Sequence, residues 1–377
     1  MGKHALLSAS ASHKWLKCTP SARLEESVEN KNSVFAAEGT AAHELSEYKL
    51  RKYIGIKTER PVSEFDSQEL EQYTDVYVNF ATELIEEVRT KCKDPVILIE
   101  QRLDYSCYVT EGFGTGDLLI VADENLDIVD LKYGRGVAVS AEDNPQMKLY
   151  AIGALNLFDS LYDIKKVRMT IVQPRLESIS AYEMLTEDLL SWAENELKPK
   201  ADLAFKGEGE FLSGEHCRFC RVRHNCRARA EKFLDVARYE FKKPDLLTDE
   251  EIADILFLSD RLSTWANDVH SFASHLAINE GKKWPGFKLV QGRSNRKYKD
   301  EKEVIKACED NGITDIYSKS LLGITAMEKL IGKKKFNEIL GTLIERPEGK
   351  PTLVPSSDKR KEIKINNTAV ADFKEEI

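Results

Sequence analysis

Two acidic residues and a lysine interrupt apolar segments that otherwise suit the interior of a sheet. Asp117 follows Gly116 at the start of one segment, and Asp130 and Lys132 lie in the next, Ile128-Val129-Asp130-Leu131-Lys132. Alternate residues of a strand share a face, so Asp130 and Lys132 are expected to point the same way. Charges on an apolar strand cost free energy unless they are paired or bind a metal ion. An ion pair between Asp130 and Lys132 is one explanation, and a catalytic site is another.

Two carboxylates held together repel each other unless a cation joins them. Mg²⁺ prefers oxygen ligands, polarises phosphate groups and activates a bound water. A lysine beside such a site can orient that water or stabilise charge that builds on the phosphate. The set Asp117, Asp130 and Lys132 therefore suits phosphodiester hydrolysis. Glu100, at the end of the apolar run Ile97–Glu100, is either an accessory acid or a surface residue.

A compact group of cysteines predicts a second site. The chain has seven cysteines, an odd number, and three of them form Cys217-x2-Cys220-x5-Cys226. Two others lie near predicted strands, where free cysteine is usually a small buried hydrophobe. Cys18, in a polar segment, is the better fourth ligand. Spacing alone leaves zinc and an iron–sulfur cluster both open, because four thiolates suit either.

Hydrophobic periodicity predicts mixed α/β structure around these residues. Asn144-Pro145 is typical of a helix start, with Asn144 as the cap. The predicted order is helix, three strands, helix, strand, then a further helix. The helices are predicted over 40–52, 68–91, 145–158 and 185–197, and the strands over Val96–Leu103, Thr115–Ala122, Leu126–Lys132 and Val167–Gln173.

The C-terminal part is predicted to be helical. Thr248-Asp249-Glu250-Glu251 is a capping box that opens a long helix, and Gly281 ends it. Residues 282–377 are expected to form a small α-rich appendage. The predicted domains are therefore 1–235, closed by the cysteine group, and 236–377.

Composition narrows the function classes. The net charge is -9, with a pI near 5.5, which argues against a protein that coats nucleic acid by bulk charge. The N-terminus lacks the layout of a signal peptide, and no apolar run approaches the roughly 20 residues of a membrane helix. We expect a cytoplasmic protein that makes no membrane contact.

Three motifs in order give a family resemblance. The Asp117…Asp130-x-Lys132 set resembles the catalytic motif of PD-(D/E)XK nucleases. The RecB-like branch of that superfamily also has Gly-Thr-x-x-His on an early helix, which matches 39–43 here, and Gln-x-x-x-Tyr, which matches 146–150. The resemblance covers about residues 39–175 and implies a restriction-endonuclease-like αβββαβ core with helical insertions.

The resemblance also implies roles for individual residues. His43, Asp117, Asp130 and the carbonyl of Leu131 would be ligands to Mg²⁺ or Mn²⁺, and Lys132 would be the catalytic lysine. Gln146 and Tyr150 share a helix face and would contact the scissile strand. Many superfamily members have Glu where this chain has Asp130; the RecB-like branch also has Asp there.

The cysteine pattern is similar to that of the AddB nuclease and of CRISPR-associated RecB-family nucleases. In those families one cysteine precedes the nuclease core and three follow it. The resemblance implies a 4Fe-4S cluster held by Cys18, Cys217, Cys220 and Cys226, with zinc as the less favoured alternative. Such a cluster would tie the two ends of the domain together.

Arginines close to the cysteines and further along the chain suit phosphate contacts. The residues assigned to DNA binding are Arg218, Arg221, Arg223, Arg293 and Arg296. A solvated charged surface and a partner-protein contact are the alternatives.

The whole chain resembles a phage- and prophage-associated family of RecB-like proteins, which implies a bacterial host cell. The sequence thus predicts a Mg²⁺- or Mn²⁺-dependent deoxyribonuclease, an exonuclease acting on free DNA ends or single strands in recombination, repair or degradation. A recombination partner protein is possible within that role. The alternative is a non-catalytic DNA-binding or recombination-accessory protein on the same fold.

Overall fold

A computed structural model describes residues 5–28, 34–158, 161–237, 249–288, 306, 324–340, 343 and 344. The chain divides into two compact units, Met1–Leu276 and Ala277–Ile377. The end of the first predicted domain, residue 235, stays a prediction, because residues 238–248 directly after it lie outside the described part. Arg293 and Arg296 also lie outside the described residues.

A five-stranded sheet forms the centre of the first unit, in the order β1-β2-β3-β4-β5. Only the β3–β4 pair is parallel, since the chain passes through a helix between these two strands. The mixed α/β class predicted from the sequence is confirmed. The strands are β1 Val96–Asp104, β2 Phe113–Ala122, β3 Asn125–Leu131, β4 Lys166–Gln173 and β5 Ser178–Leu185.

The helices of this unit were predicted in part. The predicted helices over 68–91 and 145–158 match the observed bounds, and the 185–197 prediction corresponds to α6 and a π-helical turn over Ala193–Leu197. The helices are α1 Ser12–Trp15, α2 Ser21–Glu26, α3 Val34–Tyr53, α4 Gln68–Lys91, α5 Pro145–Phe158, α6 Thr186–Trp192, α7 Lys198–Lys206, α8 Arg227–Ala237 and α9 Asp249–Glu280. The last residues of α9 belong to the second unit.

Local signals explain where α4 and α5 begin. Ser67 Oγ accepts a hydrogen bond from Leu70 N at 3.1 Å and caps α4. Asn144 Oδ1 accepts hydrogen bonds from Gln146 N and Met147 N at 3.0 and 3.3 Å, as the Asn-Pro pair predicts. Acidic residues in the first turn of α4 and basic residues in its last turn also complement the helix dipole.

Apolar side chains cover both faces of the sheet. One core packs α3 and α4 against residues such as Leu118 and Val129. The other packs α5, α6, α7 and the N-terminal segment against residues such as Leu119 and Ile128. Successive residues of β2 and β3 thus alternate between two buried layers, which is why these strands read as near-continuous apolar runs.

Three expectations need correction. β5 is absent from the sequence prediction, although its exposure alternates along the strand as an edge strand requires. Helix α3 extends upstream of Thr40 to Val34, so Gly39 and Thr40 lie inside the helix; Thr40 Oγ1 donates to Ala36 O at 3.1 Å. Strand β3 ends at Leu131, one residue before Lys132.

The N-terminal segment is part of the core of the first unit. Leu7 and Trp15 are 0% and 1% exposed. Thr19 Oγ1 donates to Glu208 O at 2.6 Å, and Arg23 Nε donates to Phe205 O at 2.6 Å. The N-terminal segment therefore contacts the residues around the end of α7.

The described part of the second unit includes two short helices, α10 Ile324–Ile331 and α11 Lys333–Leu340. The α-rich appendage over 282–377 stays a prediction, because most of that range lies outside the described residues. Gly281, with φ of 66°, follows the last residue of α9 in the left-handed conformation typical of a helix end. Within the described ranges, none of the helices has the length and apolar character needed to cross a membrane.

Candidate metal centre

Strand pairing brings three acidic residues to one level of the sheet. Ile99 pairs with Leu118, and Gln101 pairs with Gly116, so Glu100 lies opposite Asp117. Leu118 pairs with Val129, which places Asp117 beside Asp130 one step further along the hairpin. Three neighbouring strands therefore each contribute one carboxylate at the same height.

The sheet is irregular at this level. Glu100 has φ of 51°, a left-handed conformation that costs free energy for a residue with a Cβ atom. Beyond this residue the alternation of β1 shifts: Ile99 packs on the α3 and α4 side, and Leu103 packs on the α5 side. Such local strain is typical of functional sites, where it directs a side chain.

Helix α3 brings His43 to the carboxylates. His43 Nδ1 lies 3.2 Å from Asp117 Oδ1 and 3.9 Å from Glu100 Oε1. One ligand atom of each of these three residues lies within 4.8 Å of the others, a spacing that suits a metal ion. Glu100 thus joins the cluster directly, whereas Asp130 lies next to it.

The carboxylates change the titration of the histidine. Burial disfavours the imidazolium, but Asp117, Asp130 and Glu100 together raise the pKa of His43 to about 9. Burial, with the nearby Asp117, raises the pKa of Glu100 to about 7. Without a cation, a proton therefore partly balances the negative charge of the cluster.

Asp130 is almost fully buried between a lysine and a glutamine. Gln146 Nε2 donates to Asp130 Oδ1 at 3.1 Å, and Lys132 Nζ lies 2.8 Å from Asp130 Oδ2. Lys132 thus forms an ion pair with this buried oxygen. Burial raises the pKa of Asp130, Lys132 opposes this, and Asp117 adds to it.

Gln146 and Tyr150 lie on the same face of α5, as their spacing predicts. Gln146 Nε2 also donates to Tyr150 OH at 3.0 Å, so both residues of the Gln-x-x-x-Tyr motif reach the Asp130 side of the site. Burial raises the pKa of Tyr150 well above its ordinary value, and its phenol therefore stays neutral.

Asp117 also bridges the two strands of the hairpin. Its Oδ2 accepts a hydrogen bond from Leu131 N at 2.6 Å, and this contact takes the place of ladder pairing at the point where β2 and β3 separate. The contact fixes Asp117 relative to Asp130 and Lys132. The role of the Leu131 carbonyl as a ligand stays a prediction.

A narrow cavity lies beneath the cluster, between the sheet and helices α3 and α4. His43, Glu100 and Asp117 form part of its wall, and Ser46 and Tyr77 contribute side chains from the two helices. Tyr77 is 1% exposed and Ser46 is 2% exposed, and neither hydroxyl has a hydrogen-bond partner among the described residues. The sequence analysis missed both residues, since each occupies an ordinary position on the buried face of a helix.

Three of the predicted cluster cysteines, Cys18, Cys217 and Cys220, lie where the N-terminal segment contacts residues 216–221. The side chains of Cys18 and Cys217 raise the pKa of His216 to about 10 against the opposing effect of burial, and its Nε2 lies within hydrogen-bond distance of Leu212 O at 2.8 Å. Glu25, from the same N-terminal segment, contacts Cys220, and burial raises the pKa of Cys220 to about 12. The structure therefore brings Cys18 to the three-cysteine segment across about 200 residues of sequence.

Hydrogen bonds hold the two segments together around these cysteines. Arg221 N donates to Glu25 Oε1 at 2.6 Å, and Arg221 Nη1 donates to Val28 O at 3.2 Å. Lys14 and Glu25 form a buried ion pair. His216, which the sequence analysis overlooked, lies directly beside Cys217 in sequence, and that adjacency was the signal for it.

The arginines assigned to DNA differ in their surroundings. Arg218 is exposed, with its guanidinium near the Phe219 ring. Arg221 binds backbone carbonyls, and Arg223 Nε donates to Asp268 Oδ1 at 3.2 Å. Arg218 is thus the most accessible of the three, and DNA contact by any of them stays a prediction.

The first unit therefore has mixed α/β structure. A His–Glu–Asp cluster lies at one level of its sheet, and the predicted cluster cysteines are divided between its N-terminal segment and the segment before α8. The chain belongs to the family described as "Protein of unknown function (DUF2800)", whose model matches residues 4–361. A solved structure titled "Crystal structure of SSO0001" is similar over 58% of this chain and 96% of its own, at 14% identity and a TM-score of 0.22.

Proposed function

We propose that this protein is a metal-dependent deoxyribonuclease of the RecB-like PD-(D/E)XK type. The observation that carries the proposal is the convergence of Glu100, Asp117 and Asp130 from adjacent strands, with His43 on one side and Lys132 on the other. The observed order of elements, three strands followed by α5 and β4, supports a restriction-endonuclease-like core.

The residues fit Mg²⁺ or Mn²⁺. Carboxylate oxygens suit Mg²⁺, and an imidazole nitrogen is also acceptable to Mn²⁺. Asp130, which is buried beside Asp117 and paired with Lys132, supports a ligand role because two neighbouring carboxylates repel each other unless a cation joins them. His43, Glu100, Asp117 and Asp130 would hold the ion.

When bound, a divalent cation supplies a Lewis acid that polarises a phosphate oxygen and activates a water molecule. Lys132, beside Asp130, would orient that water or stabilise charge on the phosphate. Gln146 fixes the orientation of Asp130 and, with Tyr150, would bind the scissile strand. The neutral Tyr150 phenol can donate a hydrogen bond to a phosphate oxygen.

We further propose that Cys18, Cys217, Cys220 and Cys226 hold a 4Fe-4S cluster. The approach of Cys18 to the segment that holds the other three cysteines supports a group shared by all four. Four cysteines are also the usual ligand set of this cluster.

The test of the nuclease is digestion of end-labelled linear DNA and of circular DNA with Mg²⁺ or Mn²⁺ by the anaerobically purified full chain. Asp130→Ala and Lys132→Ala are each expected to lower cleavage by at least ~100-fold, because each removes a group that acts in the transition state. Degradation of linear DNA with circular DNA left intact identifies an exonuclease acting on free ends.

Matched controls are available in the same sheet. Asp127, another buried aspartate of β3, pairs with Arg168 at the opposite end of the strand, and Lys165 pairs with Glu124 on the surface. Asp127→Asn and Lys165→Ala are expected to keep cleavage while they remain folded. Equal activity of wild type, Asp130→Ala and Lys132→Ala would reject the proposal. DNA binding without cleavage by the wild type would favour the accessory role.

A further inference from the structure

Tyr77 places an unsatisfied hydroxyl beneath the candidate metal centre. Its ring is part of the buried stripe of α4, between Thr74 and Ala81. Tyr77 lines a cavity together with Glu100 and Asp117, and its buried hydroxyl has no hydrogen-bond partner among the described residues. A phenylalanine would fill the same space without the cost of a buried, unpaired hydroxyl.

Water does not satisfy this hydroxyl. The cavity is too tight to hold a water molecule. Ser46, one turn after His43 on α3, adds a second buried hydroxyl without a partner to the same wall. Each of the two helices thus contributes a residue with an unpaired buried hydroxyl to the wall of the same cavity.

Glu100 is the acceptor that lacks a donor. Asp117 accepts from Leu131 N, and Asp130 accepts from Gln146. For Glu100, no hydrogen bond to the carboxylate is present in the described part of the chain, and its nearest charged partner is His43 at 3.9 Å. The cavity therefore contains a carboxylate without a donor and donors without an acceptor.

We propose that Tyr77 is a positioning residue that donates its hydroxyl hydrogen bond to the Glu100 carboxylate when that carboxylate turns to bind a divalent cation, with Ser46 as a second donor. The inference rests on the cation site of the proposed function and adds the residues that orient it. Groups that hydrogen-bond to metal ligands fix their orientation, and their loss commonly lowers metal affinity by about 10- to 100-fold.

The test measures Mn²⁺ binding by calorimetry and the melting temperature of the metal-free full chain, purified anaerobically. Tyr77→Phe is expected to weaken Mn²⁺ binding by about 10-fold or more. Its metal-free melting temperature should be unchanged or higher, because the variant removes an unpaired buried hydroxyl. A merely structural role for Tyr77 would lower the melting temperature and leave the affinity alone.

Tyr73→Phe is the matched control. Tyr73 lies one turn earlier on α4 and packs edge-on against Tyr133, away from the cluster. The Tyr73→Phe variant should bind Mn²⁺ with the affinity of the wild type. Wild-type affinity in Tyr77→Phe, or no Mn²⁺ binding by the wild type at all, would overturn the inference. A wild type that binds Mn²⁺ but leaves DNA intact would sink the nuclease proposal alone.

Discussion

Gly153 sets how closely helix α5 approaches strand β1. A Cβ atom at this position would lie 2.8 Å from Leu103 Cβ, 3.2 Å from Leu103 C and 3.3 Å from Asp104 N. Two of these three atoms are backbone, so they cannot move aside as a flexible side chain would. Gly153→Ala therefore requires α5 to retreat from the sheet.

Gly39 provides the comparison. It also lies inside a helix, α3, but a Cβ atom there would meet nothing within 4 Å. Both substitutions restrict the unfolded chain equally and gain about 0.5–1 kcal/mol from helix preference. The difference between the two variants thus isolates the steric cost at Gly153, about 1–3 kcal/mol for an overpacked site.

We expect Gly39→Ala to raise the free energy of unfolding by about 0.5–1 kcal/mol, and Gly153→Ala to lower it by up to about 2 kcal/mol. Urea unfolding followed by circular dichroism, with the m-value checked for each variant, measures both. Equal stabilisation by the two substitutions would refute the close packing of α5 on β1. Because α5 carries Gln146, its retreat should also lengthen the contact with Asp130 and lower cleavage.

Two further predictions concern the cysteine group and its support. Anaerobically purified wild type should be brown, with absorption at about 400 nm. Cys220→Ala should lose the colour and melt at a lower temperature, whereas the exposed Cys107→Ala should keep both the colour and the melting temperature. A colourless, zinc-loaded wild type would contradict the cluster assignment. Asp268→Asn should cost about 1–3 kcal/mol at pH 7, because Asp268 pairs with Arg229 at 2.6 Å and Arg223 at 3.2 Å. Burial raises the pKa of Asp268, but the two arginines together lower it below the ordinary aspartate value. The stabilisation is therefore complete above that ordinary value, and the difference in the free energy of unfolding between wild type and variant should close as the pH falls below about 4. A difference that stays constant down to pH 2 would contradict the ion-pair explanation.

Short-range signals allowed much of the sheet and its helices to be predicted. The Asp123-Glu124 turn closes the β2–β3 hairpin, and its register follows from the apolar runs on either side. Asn144-Pro145 fixed the start of α5, and with it the position of Gln146 relative to Asp130. These features depend on residues close in sequence, so the pattern alone indicates them.

Other features depend on contacts between distant residues. The left-handed backbone of Glu100 has no local signature, because neither glycine nor asparagine stands there. Tyr77 reads as one apolar position of an amphipathic helix, and only the fold shows that it lines the same cavity as Glu100 and Asp117. Strand β5 was missed because its residue types do not alternate as its exposure does: Ile179 and Leu185 are exposed, whereas Ser180 lies on the half-buried side.

The contacts of Thr19, Arg23 and Glu25 have a consequence for synthesis on the ribosome. Their hydrogen-bond partners lie 182 to 196 residues later in the chain. At translation rates of about 5–20 residues per second, roughly 10 to 40 s pass before those partners are made. During that time the nascent N-terminal segment, including the apolar Trp15, lacks these native partners. An exposed apolar segment of this kind is a suitable binding site for a chaperone.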